Sequence, residues 1–540
     1  MNGAFTPLVV LRGDDLLAGL CESGAFSVPL AAGRPPLEFV QALESLDLPG
    51  RELQLGASSP GGDQVSLTIA LDRLDLWAMR RAGARLQALE VFVYAYAGEA
   101  TLADAVELYR GVVDSPSFNL DERIVTLSAV EPSSTADTVF PPAMTADPGR
   151  FSNLNENSKG ATVPVVYGRV YGVPLVTLFN VDVDTVRCLV AGHPIHGDPD
   201  DPGHLDVLRA RTGEEGPGAD VVVVAGAAIK RMRDGRGDFY SAVDVPAASW
   251  SDNSLFTGTI LGMLGPEEQP LAGLGDVIDH MVHTYGRDQW QELATDRIRP
   301  ANRVLNRYTV GVLFNERQTG DTLLGLLASR FGGQFPVVFG AVGGRFGWDV
   351  VLTPRPDAPP ALALSYGVNA FQRTDVQETA RSAVRNAFIL EWGYRGSTGH
   401  APNTLERRAD NDERCRASAS RWGRSADFRW QAADVADAAT AVLLLSEQVA
   451  RQSEVFERVG YLCTEPAILR LPYGSVIEVT DSRAGWAGRR FLLESVRPAS
   501  DGTVAIGLVS LSPAGLGPGI VEPTTTIRPH YTQGISSGGG

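Results

Sequence analysis

The stretch VELYRGVVDSPSFNLDERIVTLSAV, from Val106 to Val130, restricts the fold more than any other part of the chain. It reads as two strands joined by a polar turn. Ile124, Thr126, Ser128 and Val130 alternate with Arg123, Val125, Leu127 and Ala129, a period of two that suits a sheet buried on both faces or nearly so. No catalytic group stands out in it, and the proline-rich EPSSTADTVFPP follows at once. Two further β-type runs precede it, QVSLTIAL (Gln64 to Leu71) and ALEVFVYAYA (Ala88 to Ala97). Residues 1–135 are therefore expected to form one antiparallel sheet domain, and a chain with this many strands must cover its sheet edges.

The remainder is modular. A chain of 540 residues holds about three to five domains. Residues 136–160 are rich in Pro, Ser, Thr and Asn and read as an extended linker. The block 161–300 opens with VPVVYGRVYGVPLVTLF and closes on a helical GDVIDHMVHTYG. In 301–400, RYTVGVLFNE precedes TGDTLLGLLASRFGG, a helix with a start signal at Thr319 to Asp321 and a stop at Gly332 and Gly333, and then the strand-like WDVVLTP. In 401–511 the alanine-rich run from Phe428 to Glu454 reads as one long helix whose Ala439, Val442, Leu443, Ser446, Val449 and Ala450 share a face. The strands YGSVIEVTD, GRRFLLESVRP and TVAIGLVSLS follow. Residues 512–540, dominated by Gly, Pro and Thr, are expected to be a flexible tail that gains order only on a partner. The fold class is α+β, β-rich and multidomain.

Composition narrows the function. Hydrophobic content of 44% and charged content of 21% are ordinary, and no apolar run of ~18 residues is present, so no membrane span is expected. ADVVVVAGAAI (Ala219 to Ile229) is expected to be a buried strand. The N-terminus lacks the pattern of a secretory signal, which points to synthesis in a cytoplasm-like compartment. Cys21, Cys188, Cys415 and Cys463 lie far apart with no CxxC, so they are expected to be reduced packing residues, without zinc or a disulfide framework. A net charge of −17 argues against a nucleic-acid-binding face. Residues 1–150 carry 20 Asp plus Glu against 10 Arg and no Lys.

Chemical constellations are few. GHPIHGDPDDPGH gathers His193, His196, Asp198, Asp200, Asp201 and His204, but its prolines and glycines describe a solvated loop rather than a metal site. His280 and His283 stand one turn apart on a helix without HExxH, a partly buried pair. GAVGGRFG (Gly340 to Gly347) lacks the Gly-Lys-Ser/Thr of a phosphate loop and reads as the turn of a hairpin. No nucleophile and base can be assembled, so no catalytic, cofactor-binding or metal residue is assigned and no cofactor is expected.

The order of RNAFILEWGY (Arg385 to Tyr394), ASASRWGRSADFRW, DAATAVLLLSEQVARQSEVFERVGYLC, AILRLPYGSVIEVTD and RRFLLESVRPASDGTVAIGLVSL resembles the hub proteins at the tail tip or baseplate of long-tailed bacteriophages. Tyr473, Gly474, Ser475, Val476, Ile477, Val479, Thr480 and Asp481 fill one pattern of that family, with Ser475 where an acidic residue is common. VPVVYGRVYG (Val163 to Gly172) and the Val106 to Val130 hairpin are similar to further stretches of tail-tip and tail-tube proteins. The resemblance spans most of residues 100–510. It implies a non-enzymatic homotrimer in which each chain supplies two tail-tube-like β-barrels, here 1–135 and 301–400. Blocks 161–300 and 401–511 would then be outer domains. It also implies a virion protein at the distal end of the tail. Its partners would be the distal tail ring protein, tail fibre or central tip proteins and the tape measure protein, with DNA met only in transit. If residues 1–135 line that channel, lumen-facing side chains should be net acidic or neutral, with Arg110 and Arg123 on the outer face or at subunit contacts. Two other readings stay open: a tail-associated cell-wall or polysaccharide hydrolase, which needs a pair of carboxylates in a cleft, and a receptor-binding adhesin, for which Tyr531 is the sole aromatic near the C-terminus.

Overall fold

The structure is a computed structural model that describes residues 5–14, 16–24, 26–48, 51–52, 64–130, 139–147, 149–196, 208–211, 229–246, 254–265, 269–285, 305–317, 337–342, 345–350, 359–393, 403–424 and 427–511. The first sheet uses β1 (Thr6–Gly13), β2 (Leu16–Cys21), β3 (Phe26–Pro29), β4 (Pro36–Gln41), β5 (Leu43–Asp47), β7 (Gln64–Ala70), β8 (Glu90–Tyr96), β9 (Val106–Asn119) and β10 (Ile124–Val130), while β6 (Arg51–Glu52) departs from it. The spatial order is β3-β4-β2-β1-β8-β9-β10-β7-β5. Strands β4 and β5 lie toward opposite ends of that order, yet Ala42 alone separates them in the chain, and its carbonyl accepts from Ala70 N–H on β7 at 2.8 Å. The sheet must therefore curl until its ends approach, which makes it a nearly closed barrel.

Its interior follows from the period of two. Val9 and Leu11 face Val93 and Val91, and Val125, Leu127 and Ala129 face Ile69, Leu67 and Val65; all are buried in one cluster. Ile124, Thr126, Ser128 and Val130 are half-buried, so the hairpin has one core face and one partly covered face. Leu8, Val10, Cys21, Phe39 and Phe92 form a second apolar layer on the opposite side. The short α1 (Leu76–Arg81) starts at Asp75, whose side chain accepts from Ala78 N–H.

Residues 139–160 are packed where described. Phe140 is buried against Tyr285 and Phe314 at ring separations of 4.9 and 4.8 Å, and buried Arg150 pairs with Asp234 at 2.8 Å. A linker was expected here because one aromatic and one arginine hardly register against so much Pro, Ser and Thr. Next come β11 (Val165–Tyr167), β12 (Arg169–Pro174), β13 (Val176–Asn180), β14 (Thr185–Ala191), β15 (Ile195–His196), β16 (Leu208–Arg211), β17 (Ile229–Arg233), β18 (Phe239–Pro246) and β19 (Ser254–Met263), then α2 (Leu274–Tyr285) and β20 (Val312–Phe314). One four-stranded sheet runs β13-β14-β18-β17; in another, β12, β15 and β16 all pair with β19; β11 pairs with β20. At Gly168 the chain turns between β11 and β12 with φ of 60°, and a Cβ there would overlap the Val310 carbonyl oxygen. That contact accounts physically for the glycine in VPVVYGRVYG.

The hairpin of β21 (Val337–Val342) and β22 (Arg345–Val350) pairs Gly340 with Gly347, as GAVGGRFG suggests. The helix expected at 319–333 and most of ADVVVVAGAAI lie outside the described residues. The rest comprises β23 (Leu362–Ser365), β24 (Ala370–Phe371), β25 (Gln377–Glu378), β26 (Phe388–Trp392), β27 (Asn403–Arg407), α3 (Glu413–Trp422), β28 (Phe428–Ala432), α4 (Ala438–Gln452), β29 (Glu457–Cys463), β30 (Val476–Asp481), β31 (Trp486–Pro498) and β32 (Val504–Ser510). The long helix expected from Phe428 is divided. Phe428–Ala432 forms a strand parallel to β26, and the helix begins after Asp437, whose carboxylate accepts from Thr440 N–H at 2.7 Å. The supposed apolar face is also only part of what is covered. Ala439 is exposed, whereas Glu447 and Gln448 are buried, because α4 is enclosed on most sides.

A second large sheet runs β23-β30-β31-β32-β29-β24, with β25 added on β29. Here too the end strands β23 and β24 are neighbours in the chain, joined by residues 366–369. Asn369 Oδ1 accepts from Ser365 N–H at 2.8 Å and fixes that turn. This sheet draws its strands from 362–378 and 457–510, so it runs across the boundary expected at 400. The β26, β27 and β28 sheet with α3 and α4 is an excursion between its strands.

Candidate assembly surface

The barrel and the second large sheet are coupled through backbone. Strand β31 pairs with β30 along Trp486–Leu492 and then runs past it, and there Ser495 and Val496 pair with Glu52 and Arg51 of β6. The β5 to β7 connection of the barrel thereby becomes an edge strand of the second sheet. Arg470 reinforces the junction: its guanidinium donates to the Asp104 carbonyl at 2.8 Å and pairs with Glu99 at 3.3 Å. Backbone pairing and a charged contact join the barrel to the second sheet.

In the second sheet, Asp481 closes the tight connection between β30 and β31. Its carboxylate is buried, which favours the neutral form. Hydrogen bonds from Tyr461 Oη at 2.9 Å and from Arg483 N–H at 2.9 Å, with the nearby Arg373 guanidinium at 3.1 Å, outweigh burial and hold it below the usual carboxylate range. The aspartate that ends YGSVIEVTD is thus a structural anchor.

The residues singled out for chemistry are placed as follows. His193 is buried; its Nε2 accepts from Val166 N–H at 3.0 Å, so Nδ1 carries the proton and donates to the Pro194 carbonyl at 3.0 Å. Burial holds its pKa down at about 4. It is a neutral structural histidine. The side chain of His196, together with Asp198, Asp200, Asp201 and His204, falls outside the described residues. Among the described residues, no group of three or more His, Cys, Asp and Glu side chains is placed to hold a metal. His280 meets buried Tyr167 through a 3.0 Å contact between its Nδ1 and the hydroxyl, within an aromatic cluster completed by Phe140, Tyr285 and Phe314. The side chain of His283 is not among those described. All four cysteines are buried and unpaired, and burial raises their thiol pKa values. No helix among the described residues is long and apolar enough to cross a membrane.

Arg110 lies on the face of the first barrel away from its interior. It pairs with Glu107 at 2.7 Å and stacks on Phe92 at 5.0 Å, and Arg12 stacks on the same ring at 4.9 Å. Arg123 is exposed at the turn of the Val106 to Val130 hairpin with φ of 55°. The tip beside it, Leu120, Asp121 and Glu122, is exposed as well. The sequence reading did not single out this tip, although a leucine beside two acids in a turn is legible there.

No family model matches the chain, and no curated protein matches it. Solved structures similar to it include the following three. The tail protein from Neisseria meningitidis MC58 is 10% identical with a TM-score of 0.34, over 96% of this chain and 99% of that one. The 43 kDa tail protein of prophage MuSo2 from Shewanella oneidensis is 12% identical with a TM-score of 0.32, over 95% and 100%. A chain from the virion of the native gene transfer agent particle is 13% identical with a TM-score of 0.39, over 73% and 94%.

Proposed function

We propose that this chain is the structural hub of a phage tail tip or baseplate, a homotrimer that closes the distal end of the tail tube. The observation that carries the reading is a nearly closed nine-stranded barrel joined through the β6 and β31 pairing to an eight-stranded sheet whose end strands are adjacent in sequence, a pair we read as the two barrels of one hub chain. Three such chains present six barrels, so a threefold ring can match a sixfold tube. A cyclic assembly also covers exposed strand edges. Distal ring, tape measure and fibre or central tip proteins are its partners, and DNA crosses it only during ejection. The acidic excess of residues 1–150 has the sign that keeps a passing polyanion from adhering. The role is architectural and requires no catalytic residue or cofactor.

Gold-labelled antibody against the chain should mark only the distal end of intact tails. Label along the tail shaft or on the head would overturn this reading.

A further inference from the structure

An open cleft of about 460 Å³ lies where the C-terminus of α3 meets the segment before β26, lined by Arg381, Arg385, Asn386, Trp422, Gly423 and Arg424. Arg381 Nε donates to the Trp422 carbonyl at 2.7 Å, and Asn386 donates to the Gly423 carbonyl at 2.8 Å, so these two side chains cap the helix end. Arg385 donates to the carbonyls of Ser382 and Val384. These acceptors are neutral. Among the described residues no carboxylate pairs with Arg381, Arg385 or Arg424, in a chain of net charge −17. Arg421, outside the lining, stacks on Trp422 at 4.8 Å, and the buried indole N–H of Trp422 has no partner among the described residues. The lining offers unneutralised donors and an aromatic ring, which suits carboxylates carried beside an apolar side chain.

The chain itself displays that combination on the Val106 to Val130 hairpin. Leu120 is 49% exposed, with Asp121 and Glu122 exposed beside it. Glu122 N–H donates to Asn119 Oδ1 at 3.2 Å, and Phe118 at the base packs edge-on against Trp77 at 5.0 Å, so the tip is preorganised. We propose that the Leu120 to Glu122 tip of one copy seats in the arginine cleft of the next, with Leu120 against Trp422 and the two carboxylates against Arg385 and Arg424. Tip and cleft are different patches, and a contact between different patches is what a threefold ring requires. The inference rests on the ring assembly proposed above. A nucleic acid is the less favoured occupant, because the acidic chain repels a long polyanion.

The test is cross-linking of the full chain carrying Arg123→Cys, exposed beside the tip, and Ser382→Cys with a short bis-maleimide, the native cysteines being buried. Covalent dimers and trimers are expected, with none from either single variant. Arg385→Glu with Arg424→Glu should lower the yield at least about tenfold, and adding Asp121→Lys and Glu122→Lys should restore it. Circular dichroism of each variant checks that it is folded. Absence of cross-links from a protein of trimeric mass overturns the contact and leaves the trimer standing; absence of cross-links from a monomer overturns both. Cross-links insensitive to charge reversal overturn the pairing. Binding of a labelled single-stranded DNA oligonucleotide that the arginine reversals abolish would make the cleft a phosphate site and overturn it as well.

Discussion

Tyr308 Oη donates a 2.6 Å hydrogen bond to Glu447 Oε1 across 139 residues of sequence, and both side chains are buried. The contact straps the segment 305–314 to α4. Thr309 N–H adds a bond to Thr440 Oγ1 at 2.8 Å, and Gly311 N–H another to the Asp434 carbonyl at 2.8 Å. Glu447 Oε2 has no hydrogen-bond partner among the described residues. Burial therefore dominates and lifts the carboxyl pKa to about 7, against the pull of Arg451, Tyr308 and Arg307.

The first prediction follows from that shift. An acid whose pKa is raised on folding favours the folded state most below its unfolded value of 4.5, and the benefit is lost as pH climbs through about 7. The cost at neutral pH is about 3 kcal/mol. Glu447→Gln should abolish this component, so the difference in thermal midpoint between wild type and variant should change across pH 4.5 to 7. A constant difference over that window would show that the carboxyl is not titrating there.

His193 works in the opposite direction. A base whose pKa is lowered on folding, from 6.5 to about 4, contributes fully above 6.5, and that stability is lost as pH falls toward 4. In the Glu447→Gln background, stability should therefore decline on acidification, and adding His193→Asn should flatten the decline at some cost at pH 7 from a weakened bond to Val166 N–H. An unchanged acid slope would remove His193 as its source.

Some of this was legible in the sequence and some was not. The hairpin ending at Val130 declared itself because Val125, Leu127 and Ala129 repeat at a period of two and pair with strands nearby in the chain. Phe428–Ala432 also alternates, with Arg429 and Gln431 exposed, but its partner lies some forty residues earlier in β26, and the following alanine-rich run made the whole stretch look helical. The sheet that joins 362–378 to 457–510 is hidden in the sequence for the same reason. Its end strands and its core strands are separated by the excursion through β26 to α4, and no local pattern records that pairing. Glu447 was invisible because a polar residue on an amphipathic helix reads as solvent-facing until a second layer covers it. The arginine cleft depends on two segments meeting, a relation that spacing alone does not reveal.

Gly168→Ala should destabilise the block 161–314 by about 1 to 3 kcal/mol, since it combines a left-handed backbone with a collision at the Val310 carbonyl. Hydrogen exchange should quicken in β11 and β20. Unchanged protection there would mean that the two strands do not depend on this close approach.

Leu127→Ala, in the interior of the first barrel opposite Leu67, should cost about 2 to 5 kcal/mol. Thr126→Ala, on the other face of the same strand, should cost far less. Equal losses in chemical denaturation would contradict the assignment of faces.

The measurement that bears most directly on the hub is the mass of the purified full-length protein in solution, by native mass spectrometry or light scattering. The hub reading predicts a particle of three times the 57.6 kDa chain mass. A stable monomer, or a hexamer with one barrel pair per sixfold position, would contradict it.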